Sequence, residues 1–124
     1  MSDPRVLVAD DDEDILLLVT TRLRRDGFDV VSARDGNEAL ALALEHRPAV
    51  AVLDIGMPGL GGLEVLARIR SDESLQGMRI LLLTAKAQES DVRRGYAAGA
   101  DAYVRKPFSP ADLSARVREL VDGS

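Results

Sequence analysis

Four places in the sequence carry side chains that could act together. They are Asp10, Asp11 and Asp12; Asp54; Thr84; and Lys106, which precedes Pro107. Each lies at the end of a short apolar run: Val6–Ala9, Ala49–Leu53, Ile80–Leu83 and Ala102–Val104. Carboxylates held close together repel, and one of their pKa values rises unless a cation neutralises them. A hard divalent ion with oxygen ligands, Mg²⁺ or in its place Mn²⁺, resolves that conflict. A carboxylate beside such an ion is a nucleophile toward phosphorus. The charge that then develops on the phosphoryl oxygens calls for a positioned cation and a hydroxyl donor. Asp54 would be the nucleophile, Lys106 the cation and Thr84 the hydroxyl, and the product an aspartyl phosphate. Singly, each residue has a plainer explanation: acids favouring a helix N-terminus, a threonine closing a strand, a solvated lysine. Their joint placement favours the chemical one.

The elements that must position these residues follow from hydropathy. The apolar runs read as strands, with Asp29–Ser32 as a further one. Between them fall amphipathic segments that read as helices: Glu13–Arg25, stopped by Asp26-Gly27; Gly36–His46, ended by Arg47-Pro48; Leu63–Ser71; Ser90–Ala98, stopped by Gly99; and Pro110–Val121, with Ser109 as N-cap. Strands alternating with helices predict a parallel sheet covered on both faces. Uniformly apolar strands agree with burial on two sides. Right-handed crossovers make the sheet doubly wound. Ligands of such sheets bind beyond the carboxyl ends of the strands, near the switch in strand order. That is where the acids, the threonine and the lysine all fall.

The chain has 124 residues, the size of one domain, with no repeat or low-complexity segment, and it can bury a core without staples. It has no cysteine, which excludes disulfides and thiolate metal sites and fits a reducing compartment. No signal peptide and no membrane-length apolar run is visible, so a soluble, cytoplasmic location is expected. A net charge of −5 and four aromatic residues (two Phe, two Tyr) argue against direct nucleic-acid binding by this segment. The arginines at 22, 24 and 25 read as a solvated face. His46, at a helix end, reads as a solvated residue and not as a phosphodonor.

With these residues in view, the chain resembles the receiver domain of two-component response regulators over about residues 4–122. The stretches that carry the resemblance are VLVADDD (6–12), LDIGMPGLGG (53–62), LLTA (82–85) and AGADAYVRKPF (98–108). The resemblance implies a flavodoxin-like, doubly wound sheet of five parallel strands in the order 2-1-3-4-5. It implies that residues 1–124 form a single receiver that catalyses only its own phosphorylation and slow dephosphorylation. By position, Asp54 would accept the phosphoryl group from a histidine kinase or a histidine phosphotransfer protein. Asp10, Asp11, Asp54 and the Gly56 carbonyl would hold Mg²⁺, Asp11 directly and Asp10 largely through water. Thr84 and Lys106 would hold the phosphoryl oxygens. Tyr103 would move with Thr84 when the state changes, and the Lys106–Pro107 bond would be cis.

Further expectations follow from the resemblance. The signal would leave through the fourth helix, fifth strand and fifth helix, a face that includes Arg93, Arg94, Asp101, Arg116 and Arg118 and suits a two-fold homodimer. Ile15 and Leu18, from the apolar run 15–19, would lie partly exposed beside the acidic pocket and, with Pro107, dock the phosphodonor. Gly61 stands where receivers often carry Asp or Asn, which predicts a looser loop. Gly56 and Lys86 occupy the positions that tune phosphate lifetime, and Gly56 offers no side chain to hinder an attacking water.

Other functions fit less well. A flavin module needs a phosphate-cradling loop after the first strand, where this chain has three acids. GMPGLGG matches neither the dinucleotide fingerprint nor the P-loop. A phosphohydrolase using an aspartyl nucleophile would need a substrate pocket or cap for which the chain has no room. A receiver that has lost phosphorylation would not keep the whole residue set.

Overall fold

The computed structural model describes residues 3–85 and 89–123, and of residues 89–92 the backbone only. Five parallel strands, β1 (Arg5–Ala9), β2 (Asp29–Ala33), β3 (Val50–Asp54), β4 (Arg79–Thr84) and β5 (Ala102–Arg105), lie in the order β2-β1-β3-β4-β5. The helices are α1 (Glu13–Arg25), α2 (Gly36–His46), α3 (Gly62–Ser71), α4 (Glu89–Ala97) and α5 (Pro110–Val121), with one 3₁₀ turn at Glu73–Leu75. Type and order follow the hydropathy pattern. The differences are at ends: Arg5 and Arg79 open β1 and β4; Ala33, Asp54, Thr84 and Arg105 close β2, β3, β4 and β5; β3 opens at Val50 instead of Ala49; α3 opens one residue earlier, at Gly62; and α4 lies one residue earlier, at Glu89–Ala97.

Alternation along the strands splits the core into two layers. Val6, Val8, Val50, Val52, Leu81 and Leu83 pack against Leu16, Val19 and Leu23 of α1 and Leu113 and Val117 of α5. Leu7, Ala9, Ala51, Leu53, Ile80 and Leu82 pack on the other side against Ala39 and Ala43 of α2 and Val65, Leu66 and Ile69 of α3. Burial on both faces explains why the central strands are apolar without interruption.

Two polar clusters tie the layers down. Ser114 of α5, itself buried, donates to Asp26 Oδ2 at 2.5 Å, and that carboxylate also receives Arg22 Nε at 2.8 Å. These donors hold the Asp26 carboxyl below its ordinary pKa. Arg118 donates to the Asp26 carbonyl and lies 4.1 Å over the Phe28 ring. On the other side, Arg70 of α3 donates to the carbonyls of Met78 and Gly99 and to Asp101 Oδ2 at 2.9 Å, and Asp101 also accepts from Ile80 N at 2.8 Å. Arg70→Ala should therefore lower stability by about 2–3 kcal/mol in urea unfolding, since it strands three acceptors. Arg70→Lys should recover little of it, because one ammonium cannot span them. A loss of only about 0.5 kcal/mol, that of an ordinary surface change, would contradict this role.

Candidate functional site

The switch in strand order lies between β1 and β3, and their carboxyl ends deliver Asp10 and Asp54 side by side. Asp10 is fully buried just past β1, and its Oδ1 accepts from Asp12 N at 2.9 Å. Asp54 ends β3 and is almost as buried. Asp11 is exposed at the mouth. Carboxylate oxygens of Asp10, Asp11 and Asp54 lie within 4.8 Å of one another. Asp12 does not join them: it is the N-cap of α1 and accepts from Asp14 N and Ile15 N.

Lys106 Nζ enters from the end of β5, 2.9 Å from Asp10 Oδ2 and 3.4 Å from Asp54 Oδ1. The Lys106–Pro107 bond is cis. Burial works against the lysine's charge, but the two carboxylates outweigh it and hold its pKa above the ordinary value. Asp54 is pushed the other way. Burial first, and the Asp10 charge second, raise its pKa to about 6, against the pull of Lys106 and the Gly56 N–H.

One lysine therefore does not satisfy the site. Asp10 Oδ2 is buried and meets the Lys106 ammonium at 2.9 Å, so one positive charge faces two buried carboxylates. A set of close carboxylate oxygens that one lysine leaves under-neutralised, with Asp11 open to solvent, fits a hard divalent cation such as Mg²⁺.

The raised pKa has a measurable consequence in chelator. The folded state binds the Asp54 proton more tightly than the unfolded state does. This group's contribution to stability is full below pH about 4 and is lost as pH rises through about 6. Asp54→Asn, which cannot ionise, should then be more stable than the parent at pH 7 by about 1–3 kcal/mol, with the gap closing near pH 4. Equal unfolding midpoints at both pH values would contradict the assignment.

The loop after Asp54 is tight, which corrects the looser loop expected from Gly61. Gly61 is the N-cap of α3 and makes no side-chain capping bond, but a Cβ there would come within 2.9 Å of the Ile55 carbonyl oxygen. A Cβ on Gly62 would lie 2.5 Å from the Asp54 carbonyl oxygen, and one on Gly36 of α2 1.8 Å from that of Leu60. Backbone packed on backbone replaces the missing cap.

Thr84 is buried at the end of β4, and alternation puts it on the same sheet face as Leu82, which pairs in register with Tyr103. Tyr103 is half-buried against that layer, its ring 6.2 Å from that of Tyr96. On α1, Ile15 is half-buried and Leu18 is 51% exposed, while Leu16 and Val19 are in the core. Leu17, which the sequence reading did not single out, is more exposed still at 66%. Ile15, Leu18, Lys106, Pro107 and Phe108 line an apolar groove of about 300 Å³ beside the acids. Of the face named for output, Arg93, Arg94 and Arg116 are exposed. Asp101 turns instead to half-buried Arg70, and Arg118 to the buried Phe28 ring and the carbonyl of half-buried Asp26. His46 is half-buried, its Nδ1 3.1 Å from Arg5 Nη1. Lys86 lies outside the described residues.

This fold, with acids and a lysine gathered at the carboxyl ends of its strands, is that of the receiver class of signalling domains, and comparison with known proteins agrees. The sequence model of the response regulator receiver domain matches residues 6–118. The chain is 43% identical over 117 residues to the alkaline phosphatase synthesis transcriptional regulatory protein PhoP of Bacillus subtilis, covering 94% of this chain and 48% of that protein. It is 44% identical over 114 residues to the DNA-binding response regulator MtrA of Mycolicibacterium smegmatis, covering 92% and 49%. It superimposes on a CheY-like response regulator receiver domain from Methanospirillum hungatei with a TM-score of 0.92 at 32% identity, over 98% of this chain and 96% of that one. The chain belongs to the response regulator receiver domain family. It spans about half the length of the curated relatives it matches. Among the described residues, no helix is long and apolar enough to cross a membrane.

Proposed function

We propose that residues 1–124 form one receiver unit, acting in the cytoplasm, that takes a phosphoryl group onto Asp54 from a histidine kinase or histidine phosphotransfer protein. The observation that carries this reading is the buried Asp10 and Asp54 pair, with Asp11 at its mouth and a single lysine bridging the pair. Asp10, Asp11, Asp54 and the Gly56 carbonyl would hold Mg²⁺, which when bound neutralises the carboxylates and draws charge from phosphoryl oxygens. Burial has already stripped water from the Asp54 carboxylate. An Asp54 oxygen attacks phosphorus, and the bond from phosphorus to the donor's imidazole nitrogen breaks. Lys106 and Thr84 then hold the phosphoryl oxygens. The same groups serve the slow return, in which water attacks phosphorus and Asp54 leaves as carboxylate. Gly56 puts no side chain in the path of that water.

Ile15, Leu18 and Pro107 line the groove on which the donor would dock. Charge added at Asp54 would shift Thr84 and Tyr103 between two packings, changing the α4–β5–α5 face. That face would control a partner, a second copy of the chain or an output module. Two relatives are named as transcriptional or DNA-binding regulators, and a DNA-binding module is the output proposed here.

The test is the intact mass of the protein after exposure to phosphoramidate in Mg²⁺ or in chelator. One phosphoryl group in Mg²⁺ and none in chelator is expected. No uptake in Mg²⁺, from this donor or from a phosphorylated histidine protein, would overturn the reading.

A further inference from the structure

Gly95 lies in the last turns of α4, facing β4 and β5. Its backbone is ordinarily helical, so no left-handed conformation calls for glycine there. Glycine within a helix is also a cost, since it loses more backbone freedom on folding than alanine. Space offers the reason for it. A Cβ built on Gly95 would lie 2.9 Å from Leu82 Cδ1 and 3.1 Å from Tyr103 Cε2, with Tyr103 Cδ2 at 3.5 Å. The Tyr103 ring thus occupies volume that any other residue at position 95 would fill.

The two neighbours are not equally free to yield. Leu82 is fully buried in the core between α3 and the sheet. Tyr103 is only half-buried, at the margin of that layer, with the ring of exposed Tyr96 6.2 Å away. A side chain at position 95 would therefore displace the tyrosine ring outward and leave the leucine where it is. None of the three atoms nearest a Cβ at Gly95 belongs to an acid of the site.

We propose that Gly95 is a positioning residue that keeps open the seat Tyr103 occupies, and so permits the packing through which phosphorylation reaches the α4–β5–α5 face. The proposal rests on the reading of Asp54 and Tyr103 given above. Gly95→Ala should leave the phosphate site intact while denying the ring its place. The switch would then be charged at one end and silent at the other.

The chain has two tyrosines and no tryptophan, so Tyr96→Phe leaves Tyr103 as the one tyrosine probe. In that background, with ring-labelled tyrosine, the Tyr103 NMR signal would be followed before and after phosphoramidate and Mg²⁺. With Gly95 present, the signal should start at the packed-ring position and shift on phosphorylation. With Gly95→Ala, phosphoryl uptake by mass should persist and the signal should sit at a displaced-ring position with or without the phosphoryl group. A signal that moves equally in both proteins would overturn the proposal. If neither takes phosphate, the phosphorylation reading fails, and the seat is judged on unmodified protein. There, Gly95→Ala should lower the unfolding temperature, and most of that drop should vanish when Tyr103→Ala is also present. An equal drop with and without the ring would overturn the seat as well. Gly77→Ala, with no atom within 4 Å of its Cβ, is the control that should move neither readout.

Discussion

Lys106→Ala should destabilise the protein in chelator at pH 7.5 by about 3 kcal/mol, the cost of leaving buried carboxylates without their cation. The lysine ammonium lies 2.9 Å from Asp10 and 3.4 Å from Asp54, and Asp10 is wholly buried. Asp54 already has a pKa of about 6 with the lysine pulling it down, so its removal sends that value higher. Protonation then relieves the repulsion, and the deficit should shrink to about 1 kcal/mol at pH 5 and deepen as pH rises. Saturating Mg²⁺ should recover most of it, because an ion that binds only the folded state adds stability by mass action. Unfolding midpoints in urea, with and without Mg²⁺ at two pH values, read all three effects. A loss that ignores both pH and Mg²⁺ would mean that Lys106 only packs.

Gly36→Ala should cost more than about 3 kcal/mol, or prevent folding, although glycine-to-alanine within a helix ordinarily stabilises by up to about 1 kcal/mol. The new Cβ would fall 1.8 Å from the Leu60 carbonyl oxygen and 2.6 Å from the Leu60 carbonyl carbon. Backbone cannot swing aside as a side-chain tip can. Either α2 moves off the sheet or the loop between Asp54 and α3 is pushed out, carrying Gly56 with it. Where enough folded protein survives, Mg²⁺ affinity should fall alongside stability, because that loop bears the proposed carbonyl ligand. Thermal unfolding of Gly36→Ala and Gly77→Ala side by side checks this, since a Cβ at Gly77 meets nothing within 4 Å. Equal unfolding temperatures would contradict the close packing.

The fold was legible because each level of the sequence agrees with the next. Aliphatic strands such as VAVLD and RILLLT can only be buried on both faces. Helix stops at Asp26-Gly27 and Arg47-Pro48 bound the elements between them, and Arg47 sits at φ 46 as the αL cap of α2. The residues of the candidate site were legible because they stand at strand ends, where the topology must gather them. What stayed hidden depends on distance in three dimensions. That Asp101 and Arg118 turn inward follows from Arg70, Asp26 and Phe28, which are remote in sequence. The tightness of the loop at Gly61 depends on carbonyls packed against it. That Leu17 is more exposed than Leu18 is a matter of helix phase within an unbroken apolar run, where hydropathy gives no direction.

Asp54, and no other residue, is the proposed acceptor of the phosphoryl group. Borohydride reduces an aspartyl phosphate to homoserine and leaves a free carboxylate unchanged. Protein phosphorylated in Mg²⁺, reduced and digested, should show homoserine at position 54 by peptide mass spectrometry, and none when Mg²⁺ is withheld. Homoserine at Asp10, Asp11 or elsewhere, or an Asp54→Asn variant that takes up phosphate as the parent does, would contradict the account.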